Sequence, residues 1–192
     1  MEIQGGLSEE LKEKIAGTKV AIIGNQAVDL VETAIKRMGF RNTVVLSENS
    51  DLPECDVVIC TSTTKEEYRN MLTHYKTSSV SVIGAFNFGI GACVSVFDPA
   101  SSLPHFIEDK YGDNVVESML KYTDGYSKFW LISQNGWVEY AKKWMEAEEL
   151  CFSIGENTMT AMAAHLLIAV VAGNKVKTYP KFYLSTIAND IN

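Results

Sequence analysis

Four short apolar runs constrain most strongly how this chain can fold. They are residues 19–24 (KVAIIG), 43–47 (TVVLS), 56–61 (DVVICT) and 79–86 (SVSVIGAF). The first of them is a continuous apolar run that ends in glycine, and such runs are typical of strands buried on both faces of a parallel sheet. The runs therefore predict a parallel sheet that has helices on both faces.

The segments between these runs have the spacing of amphipathic helices. Helices are predicted over residues 8–16, 28–38, 64–75, 113–122, 137–150 and 156–172, and a fifth strand over residues 92–98. Strands alternating with helices indicate an α/β fold. We predict a Rossmann-like, mostly parallel sheet with helices on both faces and an antiparallel extension in the C-terminal half. Residues 1–192 are predicted to form one domain.

Composition narrows the possible partners and the location. The 192 residues carry a net charge of −7, and the basic stripe that nucleic-acid binding needs is not visible. The polar N-terminal segment does not look like a signal peptide, and the apolar run 159–173 is too short to cross a bilayer. We therefore expect a cytoplasmic protein with no nucleic-acid or membrane partner. The four cysteines form no C-x-x-C pair and are expected to be buried, reduced thiols.

The first candidate site is the turn after the first strand. In open α/β sheets, ligands bind beyond the carboxyl ends of the strands, at helix N-termini. The turn reads GNQAVD, and of the three fingerprint glycines it keeps only Gly24. It is either a degenerate nucleotide loop, in which Gly24, Asn25 and Gln26 bind the cofactor, or a plain strand–helix turn. Asp29 in the first helical turn is expected to repel a phosphate.

Two further strand ends carry polar residues. Ser47 and Glu48 end the second strand, about 20 residues after the glycine turn, where an acid usually binds ribose hydroxyls. A solvated loop glutamate is the alternative. The third strand ends in Thr61, Ser62 and Thr63, whose hydroxyls suit phosphate or adenine and equally suit a helix cap.

Candidate catalytic and substrate-binding residues follow the third and fourth strands. Lys65 and Arg69 lie on the helix after the third strand and are the nearest cations to this end of the sheet. Phe86, Asn87 and Phe88 end the fourth strand, where two rings and an amide suit a flat heterocycle, although Phe86 is equally compatible with the core. No residue is predicted as a metal ligand.

Three stretches resemble the ThiF/MoeB/HesA family, the bacterial relatives of ubiquitin-activating enzymes. They are KVAIIG, DVVICTSTTKEEYRN and VSVIGAFNFGIGACVSVFDP. The resemblance implies a homodimer that uses ATP and Mg²⁺ to adenylate the carboxylate of a small heterocyclic metabolite. Within the family, the chain looks most similar to the HcgE-type branch, which implies a guanylylpyridinol precursor of the iron-guanylylpyridinol (FeGP) cofactor as the substrate.

Two features of that family have no counterpart in this sequence. Thr63 and Thr64 stand where the resemblance places a Mg²⁺-binding Asp, and residues 48–55 replace the helix between the second and third strands. Two alternatives to an adenylating enzyme therefore stay open. One is a non-catalytic ligand-binding or chaperone protein, and the other is an NAD(P)-dependent oxidoreductase.

Overall fold

The computed structural model describes residues 7–47, 50–108, 112–129 and 149–186. In this part of the chain, six strands form one sheet in the order β2-β1-β3-β4-β5-β6. The strands are β1 (Lys19–Gly24), β2 (Asn42–Leu46), β3 (Val57–Thr61), β4 (Ser81–Asn87), β5 (Gly91–Phe97) and β6 (Tyr183–Thr186). The helices are α1 (Glu9–Gly17), α2 (Val28–Arg37), α3 (Lys65–His74), α4 (His105–Glu108), α5 (Val115–Phe129) and α6 (Glu149–Val171).

The sheet has a parallel and an antiparallel half. β1 pairs in parallel with β2 and with β3, and β3 pairs in parallel with β4. β5 then pairs antiparallel with β4, and β6 antiparallel with β5. This confirms the predicted α/β fold with a mostly parallel sheet and an antiparallel extension. The carboxyl ends of β1, β3 and β4 consequently lie at one edge of the sheet.

Both faces of the sheet are covered, which explains the continuous apolar runs. Ala21 and Ile23 of β1 belong to the core beneath α3, α4 and α5, whereas Val20 and Ile22 belong to the core beneath α1, α2 and α6. Since side chains alternate across a strand, a strand between two such cores must be apolar at nearly every position.

The second strand departs from this pattern. The strand predicted at 43–47 is confirmed as β2, but β2 is the edge strand of the described sheet, and Val44 and Val45 are each 40% exposed. The pattern of a five-residue run does not distinguish a central strand from an edge strand. Val44 and Val45 pack on the sheet with only one neighbouring strand.

The last helix is longer than its sequence pattern indicates. The prediction places it at residues 156–172, but α6 begins at Glu149 and has 23 residues. By length and composition, the part from Ser153 to Val171 is long enough to cross a membrane, contrary to the length argument from sequence. One side of α6 contacts β4 and β5, as expected for a core helix. The predicted helix at 137–150 lies almost entirely outside the described residues.

The cysteines and aromatic residues pack inside the chain. Cys60 and Cys93 are buried free thiols, as predicted, and Cys55 is a half-buried one. Tyr122 lies 5.5 Å from Tyr179 between ring centroids. Tyr122 belongs to an aromatic-rich segment, residues 122–144, that predicts a subunit interface or a substrate lid. Its described aromatic residues contact rings of the same chain, and the rest of the segment lies outside the residues with described side chains.

Candidate functional site

The turn after β1 requires glycine at its first position. Gly24 lies opposite Thr61 in the β1–β3 register and has a φ of +144°, which residues with a side chain rarely adopt. A Cβ atom at Gly24 would lie 2.5 Å from the carbonyl carbon of Thr61 and 2.6 Å from the amide nitrogen of Ser62. The backbones after β1 and β3 therefore approach each other as closely as a glycine permits.

A side-chain hydrogen bond joins the same two segments. The amide Nδ2 of Asn25 donates to Oγ1 of Thr63 over 2.9 Å. Next to it, Ser62 Oγ accepts from the backbone N–H of Thr64 over 3.1 Å. The structure therefore brings together Gly24, Asn25 and Thr61–Thr63, which the sequence predicts as cofactor-binding residues on two separate strands.

Two buried oxygen atoms in this region have no hydrogen-bond partner among the described residues. They are Oγ1 of Thr61, whose side chain is fully buried, and Oε1 of Gln26. Leaving a buried polar group unsatisfied costs about 1–3 kcal/mol. A ligand that hydrogen bonds to these atoms would remove this unfavourable free energy. Binding of a polar group is therefore favoured at this position.

The start of α2 is also available to an anion. Ala27 occupies the N-cap position with a φ of 48°, and its methyl group cannot accept a hydrogen bond from the first turn. The N–H groups of a first helical turn, together with the helix dipole, attract phosphate and carboxylate groups. Asp29 lies in this turn and opposes that attraction, as the sequence predicts.

The predicted ribose-binding residues remain untested. Ser47 follows β2 and is exposed, and its carbonyl accepts from the backbone N–H of Ser50 over 3.2 Å. Glu48 lies outside the described residues. Binding of a ribose by Ser47 and Glu48 therefore stays a prediction.

The two predicted catalytic cations have different surroundings. Lys65 begins α3 and is only 3% exposed. Arg69, one turn later, is exposed, and its Nη2 donates to the carbonyl oxygen of Ile107 on α4 over 3.2 Å. Lys65 thus lies close to the polar strand ends, whereas the guanidinium group of Arg69 is held at α4. A catalytic role for either residue stays a prediction.

The predicted substrate-binding residues are buried. Phe86 is fully buried and stacks on Tyr68 with 5.4 Å between ring centroids. It is therefore a core residue, which is the alternative that the sequence left open. Phe88 is also fully buried, and Oδ1 of Asn87 accepts from the N–H of Gly89 over 2.8 Å. Contact of these side chains with a substrate stays a prediction.

One segment at the site was not found from sequence. Residues 112–114 precede α5, and together with Val115, its first residue, they lie beside the start of α3. Lys65 N–H donates to the carbonyl of Asp113 over 3.0 Å, and Val115 N–H donates to the carbonyl of Thr63 over 2.9 Å. The Asp113–Asn114 pair before an apolar helix indicates an N-terminus, but no local signal shows which strand end that helix contacts.

Comparisons with known proteins agree with this architecture. The sequence matches no protein-family model, and it matches no curated protein. Among solved structures, the chain is similar to a heterocyclase in complex with substrate and cofactor, with a TM-score of 0.53, 11% identity and 98% of this chain covered. This chain shares the fold of that heterocyclase. It spans only 27% of the length of that protein.

Two further structures are more distant. Escherichia coli MccB has a TM-score of 0.48 and 11% identity, with 92% of this chain and 64% of MccB covered. The heterocyclase TruD has a TM-score of 0.47 and 9% identity, with 94% of this chain and 28% of TruD covered.

Proposed function

We propose that this chain is an ATP-dependent adenylating enzyme that activates the carboxylate of a small heterocyclic metabolite. One observation carries the proposal: buried hydroxyl and amide oxygen atoms without described partners lie where the carboxyl ends of β1 and β3 meet, beside a helix whose N-cap residue cannot cap it. These groups suit the phosphates and the sugar of a nucleotide. The fold shared with the heterocyclase, which binds a substrate and a cofactor, and the sequence resemblance to the ThiF/MoeB/HesA family both support it.

The proposed reaction needs a nucleotide held with its α-phosphate open to attack. A carboxylate oxygen of the substrate attacks the α-phosphorus, the bond between that phosphorus and the bridging oxygen of the β-phosphate breaks, and pyrophosphate leaves with the electron pair. The carboxylate becomes an acyl-adenylate, whose AMP is a good leaving group. In this scheme Gly24 and Asn25 contact the phosphates, and Lys65 contributes positive charge to the transition state.

The finer parts of the proposal rest on the sequence resemblance. We propose that the substrate is a guanylylpyridinol precursor of the FeGP cofactor, that Mg²⁺ accompanies ATP, and that the chain acts in the cytoplasm as a homodimer. The donors in the site fit a nucleotide with Mg²⁺, because hydroxyl and amide groups bind phosphates and Mg²⁺ binds mainly to phosphate oxygens, carboxylates and water.

Calorimetry of ATP binding with a pair of matched variants tests the proposal. Thr61→Val removes the buried hydroxyl at the end of β3, and Thr160→Val removes a buried hydroxyl on α6 that likewise has no partner among the described residues. Both variants are expected to unfold at the same or higher denaturant concentration, because an unsatisfied buried group is lost. Only Thr61→Val should weaken ATP binding, by about three- to tenfold for one hydrogen bond.

Two results would contradict the proposal. One is the absence of ATP binding by the wild-type chain, and the other is an equal effect of both variants on the affinity. A preference for NADH over ATP would instead support the oxidoreductase interpretation. If ATP binds, ATP–pyrophosphate exchange dependent on an added carboxylate measures the adenylation step directly.

One observation favours a second function, a non-catalytic ligand-binding protein with the same fold. Phosphoryl chemistry depends mainly on positive charge and metal ions at the reacting phosphate. Arg69 donates to the carbonyl of Ile107, and Lys65 is buried. Tight ATP binding without pyrophosphate exchange for any carboxylate would favour this second function.

A further inference from the structure

The edge strand β2 leaves a row of main-chain groups open. It pairs with β1 on one side, and on its other side it meets no strand of the described residues. The start of the strand is held in place, because the Nδ2 amide of Asn42 donates to the carbonyls of Ala16 and Gly17 over 3.2 and 3.3 Å. Such an edge offers its free N–H and C=O groups to another strand.

Two exposed valines of β2 point to opposite faces of the sheet, and each is 40% exposed. In the register with β1, Val44 lies beside Ala21, which belongs to the core beneath α3, α4 and α5. Val45 lies beside Ile22, which belongs to the core beneath α1, α2 and α6. A partner that lay on one face would cover only one of the valines. A strand paired along the free edge would cover both, and the surface therefore fits a β-strand.

The composition of β2 does not protect this edge. Natural edge strands are usually blocked by charged side chains, by proline or by a bulge. The five residues from Asn42 to Leu46 include no charged residue and no proline, and their register with β1 is unbroken. Thr43, Val44 and Val45 are β-branched, and β-branched side chains pair favourably across neighbouring strands. The strand can therefore pair with a second strand like itself.

The charges at the two ends of this edge favour one direction of pairing. Arg41 is exposed at the amino end of β2. At the carboxyl end, the N–H of Ser50 donates to the carbonyl of Ser47 over 3.2 Å, and the exposed Asp51 follows this turn directly. α2 packs on β1 and β2 with the same polarity, since Asp29 lies in its first turn and basic residues lie in its last turn. Antiparallel pairing of two copies brings the basic end of each edge to the acidic end of the other, whereas parallel pairing would bring like charges together.

We propose that β2 pairs antiparallel with β2 of a second copy of this chain, so that one sheet runs through both copies. This inference rests on the homodimer of the proposed function and gives that homodimer an interface. Two-fold symmetry suits such a contact, because an isologous interface needs a surface that is complementary to itself. In the dimer, Val44 and Val45 of the two copies cover each other on the two faces of the sheet.

Sedimentation equilibrium of the full chain and three variants tests this interface. Val44→Glu and Val44→Lys each place like charges next to one another in a dimer of one variant, whereas an equal mixture of the two variants places opposite charges there. Leu7→Lys is the matched control, since Leu7 is 44% exposed and precedes α1. Circular dichroism and thermal unfolding establish that each variant is folded.

We expect the wild type and Leu7→Lys to form dimers with the same dissociation constant. Each Val44 variant alone should have a dissociation constant at least about tenfold higher, because the burial of the valine is lost and like charges repel. The mixture of the two variants should recover most of this loss. Amide hydrogen exchange gives a second readout, since the N–H groups of β2 should be protected in the wild-type dimer and should exchange faster after dilution to the monomer.

The failure of this inference differs from the failure of the proposed function. If the wild type is a dimer and both Val44 variants keep its dissociation constant, or if the mixture associates no more tightly than either variant alone, the β2 interface is overturned while a homodimer stands. A wild type that is monomeric at every concentration overturns the interface and the homodimer together. Neither result changes the calorimetry of ATP binding, on which the adenylation proposal depends.

Discussion

The polar groups at the strand ends are hydrogen bonded differently in the parallel and the antiparallel half of the sheet. In the parallel half, β1 and β3 end side by side at Gly24 and Thr61, and a buried hydroxyl there has no described partner. In the antiparallel half, β4 and β5 form a hairpin in which every residue of β5 is buried. At its turn, the N–H of Phe88 donates to the carbonyl of Gly91 over 2.9 Å, and Asn87 bonds to Gly89.

The difference follows from topology. A hairpin turns back on itself, so the polar groups at its turn bond to one another. Parallel strands must leave the sheet edge and continue into helices, so their carboxyl ends and the helix N-termini that follow present polar groups at the same edge. In the parallel half, a buried polar group at a strand end therefore has no hydrogen-bond partner among the described residues. In the antiparallel half, the polar groups at the hairpin turn bond to one another.

Substitution of Gly24 is expected to have the largest effect, because it changes both stability and binding. Gly24→Ala brings a methyl group within 2.5 Å of Thr61 and imposes a φ of +144° on a residue with a side chain. We expect the free energy of unfolding to fall by about 4 kcal/mol, from the sum of overpacking and backbone strain. Urea unfolding followed by circular dichroism measures this change.

The same variant also tests whether the close approach of β1 and β3 matters for ATP binding as well as for stability. Because the two backbones must separate to admit the methyl group, Gly24→Ala should lose ATP affinity even under conditions where it is fully folded. A Gly24→Ala protein as stable as the wild type would show that β1 and β3 do not approach as closely as described.

A glycine on α6 packs closely against the antiparallel half of the sheet. Gly155 on α6 packs against the turn after β4, where an added Cβ would overlap Oδ1 of Asn87 and lie 2.9 Å from the amide nitrogen of Gly89. Gly155→Ala should therefore destabilise the fold by about 2 kcal/mol, as overpacking of a close contact does. ATP affinity of the folded variant should stay unchanged.

Gly125 provides the matched control in another helix. A Cβ at Gly125 on α5 meets no atom within 4 Å, so Gly125→Ala should stabilise the chain by about 0.5–1 kcal/mol through its helix propensity. Thermal unfolding of both variants under one condition gives the comparison. Equal effects of the two substitutions would show that the contact between α6 and the hairpin turn is not tight.

The central strands β1 and β3 were predictable from sequence because both of their faces are buried. Lys19–Gly24 was predicted to the residue, and the helix cap at Thr64, whose Oγ1 accepts from the N–H of Glu67 over 3.4 Å, is a local signal. Local patterns report local conformation and burial. They do not report which strand becomes an edge, and so the exposure of Val44 and Val45 was not foreseen.

The candidate site was predictable to the extent that it is built from strand ends. Gly24, Asn25 and Thr61–Thr63 meet because parallel strands end at one edge, which topology alone dictates. The place of Asp113 depends on a contact between two segments far apart in sequence, and Phe86 is buried because α3 presents Tyr68 to it. His165 has apolar neighbours in sequence but is exposed, because α6 has an outer face. These outcomes depend on packing between elements that are far apart in sequence. Local sequence patterns do not report such contacts.

Tyr68 joins the two halves, and the loss of its hydroxyl is expected to destabilise the fold less than either Gly24→Ala or Gly155→Ala. Its hydroxyl donates to the carbonyl of Cys60 on β3 over 2.9 Å, while its ring stacks on Phe86 of β4. Burial raises the pKa of this hydroxyl well above its ordinary value of 10.0. Tyr68→Phe keeps the ring and removes the hydrogen bond, so at neutral pH it should cost about 1 kcal/mol of stability.

The pH dependence of this variant provides a second measurement. Above pH 10 an unfolded tyrosine loses its proton, whereas buried Tyr68 keeps it, so the unfolded state binds fewer protons and stability falls as the pH rises. Below pH 10 both states are protonated and this contribution to stability is fully present. In urea unfolding between pH 7 and 11, the alkaline decline should therefore be less steep for Tyr68→Phe, while the decline due to buried Cys93, whose thiol pKa burial also raises, persists in both proteins. Parallel curves for the two proteins would mean that the Tyr68 hydroxyl is not held protonated at the junction between the halves.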